Sequence, residues 1–335
     1  MNCVAIGTTR MERMDVRATQ VFLHADDFGM NRAVTDGILA GFTSGLLTST
    51  SVLANGPAFE YAISRWRWLE GERAAGRLAS LTNRQQLHDC GAAALDLGVH
   101  LNLTQGRPLT VDFPAELLDA EGRFPGIGRI FQRLVFGPGR WRVAIQNELA
   151  AQVARVIDDG LKPSHLNGHQ YVELVPGVAE LIPKLAERFQ IKVVRVAVER
   201  KMANAFRECP RPFLNGCLAL VKCGFARRFR RRAKQHNLDH PDRFSGTAHA
   251  GHVSLEVLRR FVADVPRGQS LEIGLHPGLG PTEVDFQVLA DGWLDPLEQL
   301  RPQELAVLQS QDAVNLLASA GLHLGRLSSL PRSSR

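Results

Sequence analysis

What this chain of 335 residues lacks narrows its class before any motif is weighed. No apolar run approaches the roughly 20 residues that a membrane-spanning helix needs, so nothing is expected to cross a bilayer. The N-terminal stretch carries arginines and acids but no continuous apolar core of signal-peptide length. Residues 1–17 are therefore expected to be a flexible leader, with Met11 or Met14 as alternative starts. Cysteine is scarce and unsuitably spaced. Cys3, Cys90, Cys209, Cys217 and Cys223 are odd in number and contain no Cys-x-x-Cys pair, which argues against a disulfide framework and a zinc ribbon and leaves cytoplasmic residence as the default. No internal repeat is visible. A hydrophobic content of 44% and a charged content of 22% are ordinary for a globular protein.

The most informative segment present is Asp26-Asp27-Phe28-Gly29, directly after the apolar run Val21-Phe22-Leu23-His24-Ala25, which reads as a buried strand. Neighbouring side chains at a strand end usually diverge, but a turn there would let both carboxylates line one cleft and do different work. The alternative is that the pair only caps a following helix that begins at Asn31-Arg32-Ala33-Val34. Three further segments weigh against mere capping. In Gly98-Val99-His100-Leu101-Asn102-Leu103, His100 and Asn102 share one strand face. Ser164-His165-Leu166-Asn167-Gly168-His169-Gln170 is short and polar after Lys162-Pro163, and Leu271–Leu275 is an apolar strand ending in His276-Pro277-Gly278. A lone histidine in an apolar run is usually a satisfied core residue. Four strand ends that each carry Asp or His are not explained that way.

Along the chain, strands alternate with helices. Strands are expected near 20–25, 50–54, His100, His169 and 192–198, and helices near 32–44, from Ala58, over 141–160 and over 177–189. The helix over 141–160 shows an apolar stripe of Ile145, Leu149, Val153, Val156 and Ile157. Residues 65–95 read as an insertion and 106–136 as a rim loop rich in Gly and Pro. This alternation predicts an α/β fold with a parallel sheet or TIM-barrel-like (β/α) barrel in a single domain over 18–325, with a C-terminal tail at 326–335. Chemistry in such barrels gathers at the carboxyl ends of strands, so Asp27, His100 and His169 can converge. One carboxylate and two imidazoles are a common catalytic metal set.

The ordered segments Ala25–Gly29, Leu47–Ser51 with Asn55-Gly56, Gly98–Leu103, His165–Gln170 and Leu275–Gly278 resemble the successive signatures of the YdjC-like carbohydrate deacetylases. Asp119–Pro125 resembles the hopanoid-associated branch of that family. The resemblance implies a seven-stranded barrel and a hydrolase that removes acetyl from an N-acetylated sugar, soluble or lipid-linked. It implies Asp27, His100 and His169 as ligands of one divalent metal ion, Asp26 as general base and His276 as general acid. The family association suggests magnesium, whereas two nitrogen ligands suit zinc or another transition metal better. Asn102 and Arg195 are secondary candidates for substrate binding. Tyr171 and Glu173 stand where family members often carry histidines, which points to altered substrate contacts.

Six cations, Arg227, Arg228, Arg230, Arg231, Arg232 and Lys234, match the net charge of +6 (40 basic minus 34 acidic). Three readings stay open for them: a solvated helix end, a peripheral contact with anionic membrane, or nucleic acid. Nucleic acid is the weakest, because no aromatic interleaving accompanies the cluster, and no nucleic-acid partner is expected. Monomer and homodimer both stay open. Two other functions compete with deacetylation: a glycoside hydrolase using Asp26 and a second carboxylate, and a catalytically silent sugar- or lipid-binding protein on the same fold.

Overall fold

The computed structural model describes residues 19–80, 87, 95–199, 212–280 and 292–330; the expected leader and the last residues of the tail lie outside them. The strands are β1 (Thr19–Phe28), β2 (Ser49–Val52), β3 (Asp96–Leu101), β4 (His165–Gly168), β5 (Val193–Val194), β6 (Arg243–Ser245), β7 (Ser270–Leu275) and β8 (Leu322–Leu324). The sheet runs β5-β4-β3-β2-β1-β7-β6, and every pairing in it is parallel. Isolated parallel bridges, Val193 to Asp239 and Glu199 to Phe244, bring its two edges together. The result is a curled half-barrel of seven parallel strands flanked by helices, in keeping with the expected TIM-like barrel. β8 stands outside this count and pairs only with the start of β1, through Thr19, Gln20 and Val21.

The helices are α1 (Arg32–Thr43), α2 (Phe59–Ala74), α3 (Arg77–Ser80), α4 (Ile127–Phe136), α5 (Arg140–Asp158), α6 (Ile182–Arg188), α7 (Pro212–Gln235), α8 (Leu255–Ala263), α9 (Arg301–Gln309) and α10 (Gln311–Ser319). α5 buries Ile145, Leu149, Val153 and Val156, the stripe anticipated from its spacing, and Ile157 packs partly buried at its margin. α1 is capped by Asn31, whose Oδ1 accepts from Val34 N at 2.7 Å. The two aspartates before it are thus free of capping duty.

Three expectations shift. α2 continues to Ala74 and buries Trp66 and Leu69, so the first part of the 65–95 stretch belongs to a core-packed helix; its charges simply occupy the outer face. Residues 81–86 and 88–94 of that stretch lie outside the described residues. The rim loop over 106–136 ends in α4, which buries Ile130 and Leu134. The strand expected over 192–198 shrinks to Val193–Val194; beyond it the described chain makes a single bridge, from Glu199 to Phe244.

Candidate metal and catalytic site

Two carboxylates share one cleft because β1 bulges at its end. The step from Ala25 to Phe28 on β1 is matched by the shorter step from Thr50 to Val52 on β2, and Asp27 sits in the left-handed region at φ 72°. Aspartate tolerates this conformation better than most residues, and a bulge re-aims a side chain that regular pleating would send to the other face.

Asp27 Oδ1 lies 3.0 Å from His169 Nδ1 and 3.5 Å from His100 Nε2. Three buried ligand atoms, one from each residue, fall within 4.8 Å of one another. Its second oxygen, Oδ2, accepts from Arg301 Nη2 at 2.7 Å. Burial alone would raise the Asp27 carboxyl, but Arg301 and then the two histidines hold it well below the usual range.

Asp26 faces the other way across the cleft. Its Oδ2 accepts from Arg195 Nη1 at 2.6 Å and lies 3.7 Å from His276 Nε2, while its Oδ1 accepts from Asn167 Nδ2 at 2.8 Å. Burial pushes this carboxyl upward too, and Arg195, His100 and His24 outweigh it and hold the group well below its ordinary value. Asp26 is therefore ionised at neutral pH. His24 supports it from beneath, with Nε2 3.2 Å from Asp26 Oδ1 and Nδ1 2.9 Å from Ser49 Oγ. Burial and the nearby Arg195 lower His24.

Asn167 orients His100. Its amide nitrogen donates to Asp26, so its Oδ1, 3.0 Å from His100 Nδ1, must accept a proton from that nitrogen. Nδ1 is thereby engaged, and Nε2 is the nitrogen turned toward Asp27; burial lowers His100, but Asp26 and Asp27 outweigh it and raise the ring. A ring held through one nitrogen, with the other aimed at the partner ligands, is the orientation a metal-binding histidine needs. The three residues fit a divalent ion, and the nitrogen-rich donor set is of the kind transition metals prefer.

His169 hangs from the end of β4, followed by two left-handed residues, Gln170 (φ 53°) and Tyr171 (φ 61°). Gln105 reaches His169 Nε2 at 3.2 Å and Trp293 lies over the ring with centroids 6.4 Å apart. Glu173 folds back against Gly168, is buried without a hydrogen-bond partner among the described residues, and is raised to about 7 by burial.

The structure thus gathers Asp26, Asp27, His100, His169 and His276 around one cleft, and brings Arg195 to it as the buried partner of Asp26 and, at 2.7 Å, of Glu272. Asn102 is fully buried and its side chain is taken up by neighbouring chain. Its Oδ1 accepts from Thr104 N and Gln105 N, and its Nδ2 donates to Asn55 Oδ1 and Gln105 O. It shapes the loop that presents Gln105. Reading the sequence alone missed Arg301, Glu304, Asn167 and His24. Glu304 accepts backbone hydrogen bonds from His276 N and Val253 N. A signal existed: Arg301, Glu304, Leu305 and Leu308 follow the i, i+3, i+4, i+7 spacing of one buried helix face, and two of them are charged.

The family model described as YdjC-like protein matches residues 20–319. The carbohydrate deacetylase of Geobacillus stearothermophilus is 29% identical over 302 residues, which cover 90% of this chain and 94% of that protein. The carbohydrate deacetylase of Mus musculus is 30% identical over 269 residues, 76% of each chain. A crystal structure from Enterococcus faecalis V583, described with a proposed role in cellobiose-phosphate cleavage, aligns at a TM-score of 0.68 and 20% identity. It covers 93% of this chain and 99% of its own, and supports the fold.

Proposed function

Since the chain belongs to the YdjC-like family, we propose that it is a metal-dependent deacetylase that hydrolyses the acetamido group of an N-acetylated sugar. The observation that carries this reading is the buried Asp27, His100 and His169 group beside a second, ionised carboxylate. Asp27, His100 and His169 would hold the ion. When bound, such an ion supplies Lewis acidity toward water and toward a carbonyl oxygen.

The remaining chemistry belongs to side chains. Asp26 takes a proton from the attacking water as the water oxygen bonds to the acetyl carbon. Arg195 holds this carboxylate in place and keeps it ionised, at the cost of making it a weaker base. His276 Nε2 gives its proton to the sugar nitrogen as the C–N bond breaks, leaving acetate and a free amine. Its place 3.7 Å from Asp26 Oδ2 puts acid and base within reach of one substrate. Arg195 serves the base and Asn102 the rim loop, so sugar contacts fall to other groups.

Chelation tests the reading against its rivals. Acetate release from N-acetylated sugars should vanish on chelation and return on adding zinc, manganese or magnesium, with the order of rescue identifying the preferred ion. Chelator-resistant release of a glycosidic aglycone would favour a two-carboxylate glycoside hydrolase. Saturable sugar binding with no turnover in any metal would favour a silent binder.

A lipid-linked sugar is the substrate class that the surface of α7 supports. The helix packs Cys223, Ala226, Phe229 and Ala233 inward, leaving Arg227, Arg228, Arg231 and Lys234 exposed. Arg232 is engaged by Glu180 at 2.8 Å. Phe225 of α7 packs on Phe131 of α4, with ring centroids 5.8 Å apart. α4 ends in Phe136, 83% exposed, and Val221 of α7 is 59% exposed. Basic and apolar groups on adjoining helices suit an anionic bilayer surface. Replacing Arg227, Arg228 and Arg231 with Gln should weaken binding to phosphatidylserine vesicles by on the order of 100-fold at low salt, since each cation contributes about 1 kcal/mol. Deacetylation of a short soluble sugar should not change. If the wild type ignores such vesicles at low salt, the cluster is a solvated helix end and a soluble saccharide is the better substrate.

A further inference from the structure

The segment from Trp293 to Glu304 meets the candidate site at His169, Gln105, Asp27 and the backbone of His276. Trp293 covers His169, and Leu294 N donates to Gln105 Oε1 at 2.8 Å, which turns the amide nitrogen of Gln105 toward His169. Asp295 grips Arg301 with both oxygens, at 2.6 Å to Nε and 3.0 Å to Nη2. Arg301 in turn donates to Asp27 Oδ2, and Glu304, one turn along α9, accepts from the backbone of His276.

We propose that the first turn of α9, steadied by Asp295, is the positioning element of this site. Arg301 sets the Asp27 carboxylate for an ion, Glu304 sets the His276 backbone for proton delivery, and one helical turn thereby fixes the spacing between ligand and acid. The inference rests on the metal-dependent reading above.

Arg301 occupies Asp27 Oδ2, so only Oδ1 is turned to the two histidines, and the carboxylate is held to a one-oxygen presentation. A free carboxylate could rotate or offer both oxygens, and outer partners of metal-binding carboxylates restrain that freedom. Arg301 reaches Asp27 past Gly278, where an added Cβ would stand 2.8 Å from Arg301 Cδ. Gly278 follows His276 by two residues, so the bare backbone that admits Arg301 belongs to the segment carrying the proposed acid. Glu304 is fully buried and uses its two oxygens for two different backbone N–H groups, which ties His276 to Val253 and to the same helix turn. A glutamine there has one acceptor oxygen and an NH₂ that would face an N–H, so it should displace His276 without touching the ligands.

Calorimetric titration of metal-stripped protein with Mn²⁺, alongside acetate release at saturating Mn²⁺, separates the two arms. Arg301→Gln should weaken Mn²⁺ binding by about 10- to 100-fold. Arg301→Lys should fall between it and the wild type, since an ammonium cannot bridge Asp27 and Asp295 as a planar fork does. Glu304→Gln should lower kcat while its Mn²⁺ affinity stays within about twofold of wild type, the behaviour of a residue acting away from the metal ligands. Should Arg301→Gln fail to fold, Asp295→Asn takes its place; that side chain bonds only Arg301 and Leu297 N among the described residues, and a smaller loss of affinity is expected. A folded Arg301→Gln with wild-type affinity overturns the inference, as does equal loss of Mn²⁺ binding in both arms. If the wild type itself takes up no Mn²⁺, the metal-dependent reading fails and this inference falls with it.

Discussion

Replacing His169 with alanine is expected to remove the divalent ion and turnover together while the barrel stays folded. The ring stands at the end of β4, 3.0 Å from Asp27 Oδ1, and shares that carboxylate with His100. Its loss leaves one imidazole and one carboxylate, too few protein ligands for a tightly held catalytic ion. The structural penalty should be modest, because the ring lies at the mouth of the barrel, against Trp293 and His100, and below the deepest packing. About 1–3 kcal/mol is the usual scale for such a truncation, less than the roughly 5–15 kcal/mol that holds a domain together. Elemental analysis, acetate release and circular dichroism on the same preparation check all three statements. Full metal content in the variant would sink the ligand assignment.

Asp26→Asn should do the reverse: keep the ion and lose turnover, by about 10²- to 10⁴-fold, the usual worth of a positioned acid or base. The amide has nearly the carboxylate's shape but cannot accept the proton of the attacking water. Near-wild-type turnover would remove Asp26 from the base role. The substitution also predicts a change in acid stability. Arg195, His100 and His24 hold the native Asp26 carboxyl well below its ordinary value. A lowered native pKa contributes stability that is fully present above the ordinary carboxylate range and disappears as pH falls through the native value. The variant lacks this contribution and leaves Arg195 with Glu272 as its remaining carboxylate partner. Denaturant midpoints should therefore differ most at neutral pH and converge as the pH is lowered.

The sequence made much of this legible where chemistry and periodicity coincide. β1 carries Asp26 and Asp27 after its apolar run and β7 is directly followed by His276, so their position and their burden could be read together, and α5 announced its buried face through Ile145, Leu149, Val153 and Val156. The bulge at Asp26 and Asp27 could not be read, because it is defined by register against Thr50 and Val52, a long-range property. Arg195 was legible as an oddity in an apolar strand, but its bonds to Asp26 and Glu272 depend on which strands become neighbours. What Asn102 bonds was hidden for a related reason: its partners Thr104, Gln105 and Asn55 are set by the turn that follows the strand, not by the strand face it shares with His100. Arg301 and Glu304 were concealed by sitting nearly 280 positions beyond Asp27 in an ordinary-looking amphipathic helix, although their charge on its buried face was the clue.

The left-handed backbone at Asp27 also restricts the sequence space open to this site. Position 27 answers two demands at once: a short acidic side chain for the proposed ligand oxygen and a residue that adopts φ 72° cheaply. Glutamate would keep the charge but add a methylene and tolerate that backbone less well; asparagine would keep the backbone but surrender the charge; glycine would relax the backbone and offer no ligand. Variation there is nearly closed, whereas Tyr171 and Glu173, beyond the proposed ligand His169, stand on a turn whose side chains are not among the proposed ligands. Laboratory evolution toward other sugars should therefore accumulate its changes on that turn and leave the bulge as it is.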